Sequence, residues 1–428
     1  MQLYPHQSEA LVQSKNLNRV AYYWDMGLGK TFVGAETLVR LNADSNLVVC
    51  QKSKVQDWFE HFKVHYPNAM VCDLTNPKEL DDFITHARGN CREPGMWVGI
   101  INYDLLFRRG QLLSLSGFTL LLDESSLIQN EKAKRSKFVL NMNPANVILL
   151  SGTPVSGKYE NLWSQIHLLG WGISNDLYNR QYVNWETVEV DGFPVRRVNK
   201  ESPYRNVERL KSKLREHGAF FLKTEECFTL PEQNFVTVRV PIIPQYRKFR
   251  RNKVVIAPDG AELIGDTTLT EFLYSRQLCG HYNQHKLQAF CDLLSATRER
   301  LIVFYNYNAE LAVLTEAVKA AERPLSVVNG KTKDLTAYEE QTDSVTLIQY
   351  QAGAMGLNLQ KANVIVYFTL TDKSELFEQS KKRIHRIGQS RPCFYYLLIC
   401  VGSVEEALLK TLEQRRDFTD ELFREMEE

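Results

Sequence analysis

No apolar stretch in this chain approaches membrane-spanning length, and its first residues, MQLYPHQSEA, hold no apolar signal core. The expectation is a protein that does not enter a membrane and stays inside the cell, in the cytoplasm. Excess charge is lacking too: 52 Lys and Arg stand against 51 Asp and Glu, a net charge of +1. Composition alone therefore announces no nucleic-acid binder. It does not exclude one, because a protein that must release its track at every step needs no strongly basic surface. The eight cysteines (Cys50, Cys72, Cys91, Cys227, Cys279, Cys291, Cys393 and Cys400) include no C-x-x-C pair, and most lie inside apolar runs. That pattern reads as reduced, buried thiols. Internal repeats and low-complexity tails are also missing.

What remains is the ordinary balance of a globular protein, 44% hydrophobic and 24% charged over 428 residues, long enough for two or three cores. Short β-branched runs alternate with amphipathic stretches from the start. Arg19–Trp24, Asn46–Cys50, Trp97–Asn102, Thr119–Asp123 and Asn146–Ser151 read as buried strands, and Lys30–Leu41, Val55–His65 and Tyr159–Leu169 as helices. Near-continuous apolar strands between helices imply a parallel sheet covered on both faces. The rhythm breaks at Trp171–Pro203, which reads as an irregular insertion. Pro231, Pro241 and Pro244 then punctuate a segment expected to join two lobes, and Ala257–Thr268 reads as an exposed loop. Alternation resumes with helix Lys286–Thr297, strand Arg300–Tyr305 and helix Asn308–Ala321. Strands Val345–Tyr350, Val364–Thr369 and Phe394–Val401 follow, with helix Lys373–Arg383 between the last two and an amphipathic helix from Ser403. The expected domains are 1–228, with an insertion at about 171–220, and 229–428.

Three segments carry chemistry. WDMGLGKT (Trp24 to Thr31) lies between a strand and a helix. Gly27 and Gly29 let backbone N–H groups close around phosphate at the helix N-terminus, Lys30 suits the terminal phosphates, and the Thr31 hydroxyl suits Mg²⁺. The strict phosphate-loop pattern asks for glycine where this chain has Trp24. LLLDESS (Leu120 to Ser126) is an apolar strand running out into two carboxylates; Asp123 can hold a Mg²⁺ shell and Glu124 can orient and deprotonate an attacking water. QSKKRIHRIGQ (Gln379 to Gln389) places Arg383 and Arg386 three apart at the end of a helix, hence on one face. By spacing alone that pair reads as a solvated basic face or a phosphate clamp.

Taken in order, these segments resemble the motif series of superfamily-two helicases, and specifically the SWI/SNF-type ATPase family. LYPHQ (Leu3 to Gln7) is similar to the adenine-reading glutamine motif, which implies that role for Gln7. DMGLGKT, VVCQKSKVQDW, INYD and SGTP (Ser151 to Pro154) resemble successive motifs of the first lobe. LIVFY, AGAMGLNL (Ala352 to Leu359) and RIHRIGQ (Arg383 to Gln389) resemble those of the second, and GAFFLKT (Gly218 to Thr224) with LPEQ resembles the lobe-joining region. The resemblance runs from Leu3 to about Gln389. It implies two tandem RecA-like α/β lobes, each a parallel sheet covered by helices, with an ATP site in the cleft between them. Catalytic roles fall on Lys30, Glu124, Arg383 and Arg386, the two arginines acting as fingers. ATP contacts fall on Gln7, Gly27, Leu28, Gly29, Lys30, Thr31, Gly356 and Gln379, and Mg²⁺ on Thr31 and Asp123. Track contacts fall on Lys52, Trp58, Asn102, Tyr103 and Gln351, although Trp58 and Tyr103 read equally well as core aromatics.

The implied activity is ATP-driven translocation on double-stranded DNA without strand separation, by a monomer that meets DNA-bound proteins. A strand-separating helicase or a nucleotide-switched clamp is the alternative. Short insertions and nothing ahead of the glutamine motif suggest a bare motor of bacterial or phage origin. The acidic motif departs from the family's usual D-E-A-H at Ser125 and Ser126, and Lys223 replaces a frequent arginine. His61 with His65, and His281 with His285, have metal-ligand spacing, but no cysteine or carboxylate set completes a site, so they read as surface or capping histidines. RKFRRNK (Arg247 to Lys253) reads either as a phosphate contact or as a charged surface helix.

Overall fold

The computed structural model describes residues 3–89, 95–190, 192–353 and 357–423. The chain divides into two compact units, one formed by Met1–Cys227 with Asp417–Glu428 and the other by Phe228–Arg416. Each is built on a seven-stranded sheet, as the alternation of strand and helix patterns leads one to expect.

In the first unit all seven strands are parallel. Their order is Met70–Asp73, Trp97–Asn102, Ser45–Cys50, Thr119–Asp123, Asn146–Ser151, Arg19–Trp24, Ala219–Leu222. Central strands such as Ser45–Cys50 are buried along their whole length, which is why they read as continuous apolar runs rather than alternating ones. Helices Lys30–Leu41, Val55–His65 and Pro77–Ala87 form crossovers between them. Parallel neighbours need such crossovers, and the C-terminal strand ends therefore gather on one edge.

The stretch Trp171–Pro203 is not irregular throughout. It contains helix Asn175–Tyr182, capped by the Ser174 hydroxyl, and an antiparallel ribbon pairing Trp185–Val190 with Phe193–Val198. The ribbon escapes a sequence reading because both of its faces carry charge, Glu186 and Arg197 on one, Glu189 and Arg196 on the other; Glu186 and Arg197 stand opposite each other and pair at 2.7 Å. Helix Tyr159–Leu169 shortens to a turn, Tyr159–Asn161, followed by helix Trp163–Leu168.

In the second unit the order is Gln233–Val240, Cys393–Cys400, Val364–Tyr367, Leu301–Tyr305, Val345–Gln349, Leu325–Val328, Lys333–Asp334. Only the two-residue edge strand Lys333–Asp334 runs antiparallel. The segment expected to join the lobes contains an eight-residue edge strand, Gln233–Val240, paired in parallel with Cys393–Cys400. Pro231 and Pro241 bound that strand rather than interrupt it, and an edge position tolerates its exposed alternate residues. The expected loop Ala257–Thr268 includes half of a small hairpin, Val254–Ile256 against Glu262–Ile264, turned at Gly260 with φ +88°. Helix Lys373–Arg383 ends earlier than its pattern suggests, spanning Ser374–Lys381. The C-terminal helix runs Val404–Phe423, with Leu408 and Leu412 buried.

Cys50, Cys72, Cys279, Cys393 and Cys400 are buried thiols, Cys227 and Cys291 are half-buried, and Cys91 lies outside the described residues. Among the described residues no helix is long and apolar enough to cross a membrane. Within the second core, Lys286 and Glu405 form a fully buried ion pair at 2.5 Å, and Glu405 also accepts the Cys400 N–H at 2.9 Å.

Candidate nucleotide site

The first sheet brings three loops to one edge. Strand Arg19–Trp24 runs into the glycine loop, its neighbour Asn146–Ser151 into Gly152–Pro154, and the next strand, Thr119–Asp123, into the acidic pair. All three lie at C-terminal strand ends, where parallel sheets place ligands. Proximity is close: a Cβ on Gly152 would stand 3.6 Å from Lys30 Nζ and 3.5 Å from the Trp24 carbonyl.

Within the glycine loop, Gly27 (φ +90°) and Gly29 (φ +76°) occupy the left-handed region, which glycine enters at no steric cost. Gly29 precedes helix Lys30–Leu41, whose first turn has no side-chain cap. Backbone N–H groups at such a helix start, reinforced by the helix dipole, suit an anionic phosphate chain. The Lys30 ammonium donates to the carbonyls of Trp24 (2.8 Å) and Asp25 (3.1 Å) and so lies across the loop.

Two distant segments brace this loop. Gln7 is buried; its Nε2 donates to the carbonyls of Leu28 (3.2 Å) and Gly29 (3.4 Å), while its Oε1 accepts the Tyr4 N–H at 2.8 Å. His6 Nε2 sits 3.0 Å from the Leu28 carbonyl. From the far end of the unit, the Thr224 N–H and hydroxyl both donate to Asp25 Oδ2 at 3.1 Å. Asp25 and Thr224 fall inside the segments DMGLGKT and GAFFLKT, but neither residue type signals a loop brace 199 positions away. A Cβ on Gly29 would fall 2.1 Å from Gln7 Nε2. Gly29→Ala is accordingly expected to cost at least about 1–2 kcal/mol from the left-handed backbone alone, and to expel Gln7. Thermal unfolding and nucleotide titration of that variant measure both effects.

Asp123 lies half-buried at the strand end. Trp58 Nε1 donates to its Oδ2 at 2.9 Å, and the Tyr103 hydroxyl donates to its carbonyl at 3.0 Å. Burial pushes the Asp123 carboxyl above its ordinary range, against the opposing pull of the Trp58 hydrogen bond and the Lys30 charge. Glu124 follows with φ +54°, a left-handed conformation uncommon for a side-chain-bearing residue, and leads into the turn Ser125–Ile128. Trp58 and Tyr103, each under 4% exposed, are thus packed beneath the acidic pair. Asn102 is buried as well and caps Leu105 N at 3.0 Å, whereas Lys52 is exposed.

The departure at Ser125 has a structural answer. Its hydroxyl donates to Gln165 Oε1 at 2.7 Å; the same oxygen accepts the Tyr23 hydroxyl at 3.1 Å, and Gln165 Nε2 donates to the Pro154 carbonyl at 2.6 Å. Gln165 therefore ties the acidic segment to the SGTP turn. The one signal is a lone amide in the mixed helix Trp163–Leu168, WSQIHL. His61 packs among Phe32, Trp58 and Phe62, and burial depresses its pKa to about 4.

In the second unit, Arg383 and Arg386 do not share a helix face. The helix has already ended at Lys381, and both arginines lie in the turns that follow. Arg383 is buried; Arg386 is half-buried, donates to Asn358 Oδ1, and has its pKa lowered by desolvation. Gln379 is buried, with Nε2 donating to Glu375 Oε1 at 3.3 Å. Gln351 is exposed in the short helix Tyr350–Gly353 that follows strand Val345–Gln349, and Gly356 lies outside the described residues.

The order and spacing of these motifs match the SNF2-related domain over residues 23–253, and the helicase conserved C-terminal domain over residues 285–388. The chain belongs to the SNF2-related family. A relative from Mus musculus, named SWI/SNF-related matrix-associated actin-dependent regulator of chromatin subfamily A member 1, is 22% identical over 91% of this chain and 40% of its own. Another, from Bacillus subtilis and named putative ATP-dependent helicase/translocase YwqA, is 21% identical over 93% of this chain and 46% of its own. This SNF2-related chain thus spans less than half the length of either curated relative. A solved Sulfolobus solfataricus SWI2/SNF2 ATPase core in complex with dsDNA is similar at 18% identity and a TM-score of 0.45, covering 98% of this chain and 92% of that one.

Proposed function

We propose that this chain hydrolyses ATP to drive movement along double-stranded DNA, remodelling protein–DNA or DNA structures without separating the strands. The observation that carries the proposal is the gathering of Lys30, Asp123 with Glu124, and the Ser151–Pro154 turn at one edge of the first sheet. In this reading the loop N–H groups of Gly27, Leu28 and Gly29 hold phosphate oxygens, Lys30 neutralises the terminal phosphates, and Gln7 reads adenine. The oxygen donors Thr31 and Asp123 form the kind of set that Mg²⁺ prefers. The metal supplies charge neutralisation at the phosphates. Glu124 orients and deprotonates the attacking water, and Arg383 with Arg386 offsets the charge of the phosphoryl group in transfer.

The DNA part of the reading is supported by AGAMGLNL and RIHRIGQ, which resemble the duplex-tracking family. Grip on phosphates alone is sequence-independent, as movement along any DNA requires. Strand separation would have to overcome stacking of about 1.4 kcal/mol per base-pair step. The expected result is ATP-dependent displacement of a third strand from a triplex, with little release of a strand from a forked duplex. ATP hydrolysis should rise more with double-stranded than with single-stranded DNA or RNA. Efficient fork unwinding without triplex displacement would make the protein a strand-separating helicase.

A further inference from the structure

Helix Pro244–Asn252, in the second unit, has the sequence PQYRKFRRN, with proline at its first turn where no N–H is needed. Its apolar side is sealed: Tyr246 and Phe249 are buried in a cluster with Ile243, Val255 and Leu263. Its outer side exposes Arg247, Lys248, Arg250 and Arg251. Glu271 takes up two of the local cations, Arg250 and Lys253. Among the described residues no carboxylate lies within ion-pair distance of Arg247, Lys248 or Arg251.

This is an unusual surface for a chain whose overall charge is +1. None of the nine helix residues is acidic, so the like charges one turn apart, Arg247 and Arg251, are left to repel each other. A helix that served stability alone would intersperse carboxylates. We infer that Arg247, Lys248 and Arg251 form a contact for the phosphate backbone of double-stranded DNA, separate from the motif series. Guanidinium forks match phosphate oxygens geometrically. Both aromatic rings of the helix face inward, so it offers no platform on which unpaired bases could stack, and this favours duplex over single strand. The inference rests on the proposed DNA-dependent function.

The test compares the salt dependence of binding to a fluorescent duplex of random sequence. Each phosphate contact contributes about −0.9 to the log–log slope. The triple variant R247A/K248A/R251A should have a slope shallower by about 2.7 than the unaltered chain, with DNA-independent ATP hydrolysis unchanged. R247K/R251K, which keeps the charges, should retain the slope. An unchanged slope in the triple variant would overturn the inference while leaving DNA binding intact. Failure of the unaltered chain to bind duplex would instead overturn the proposed function, and the inference with it. Should the triple variant keep its slope but lose affinity for poly-glutamate, the face belongs to an acidic protein partner.

Discussion

Lys30→Ala and Glu124→Gln should both abolish ATP turnover yet separate in binding. The Lys30 ammonium crosses the glycine loop to the carbonyls of Trp24 and Asp25. Its loss removes both a positive charge and a tie that shapes the loop. Charged hydrogen bonds contribute roughly 1.5–3 kcal/mol each, so ATP affinity should fall about tenfold to a hundredfold. Glutamine at position 124 keeps the shape of the side chain but removes the base. Turnover should drop by about 10²–10⁴ while ATP affinity stays near that of the unaltered chain. Steady-state hydrolysis together with titration of a fluorescent nucleotide measures the two effects separately. Near-normal hydrolysis in either variant would remove the role assigned to that residue.

The second large effect concerns the arginines. Arg383→Ala and Arg386→Ala should each lower kcat by about 10³–10⁵, the range seen for arginine fingers, with ATP affinity little changed. Arg386 holds a fixed direction through Asn358, and its partial burial strips away some competing water. Although burial lowers its pKa, a guanidinium remains charged at any working pH. A variant that lost DNA affinity but kept its kcat at saturating DNA would show that the arginines clamp DNA phosphates instead.

The legible parts of this chain were those where local pattern and global position agree. Buried parallel strands such as Thr119–Asp123 announce themselves because both faces need apolar residues, and the glycines of the loop Gly27–Gly29 because their left-handed backbone is costly for any other residue. Edge strand Gln233–Val240 was hidden because an edge exposes alternate residues and tolerates flanking prolines. The arginine pair was misplaced on a helix because periodicity cannot sense that Lys381 ends it. The braces around the site were illegible for another reason. Thr224 on Asp25, and Gln165 between Ser125 and Pro154, are contacts made by common residue types across long separations. Only the folded sheet defines them.

The pairing of Trp58 with Asp123 has a mechanical consequence. The indole belongs to the first turn of helix Val55–His65, next to the turn that carries the exposed Lys52, and is fastened to the half-buried Asp123 carboxylate. A hydrogen bond of 2.9 Å loses most of its strength when stretched by half an ångström or so. Any pull that tilts the helix by that amount therefore withdraws a donor from Asp123, one of the contacts that oppose the upward push of burial on its carboxyl. Helix and carboxylate thus behave as a lever and its latch: a displacement of the helix reaches the strand end through one indole ring.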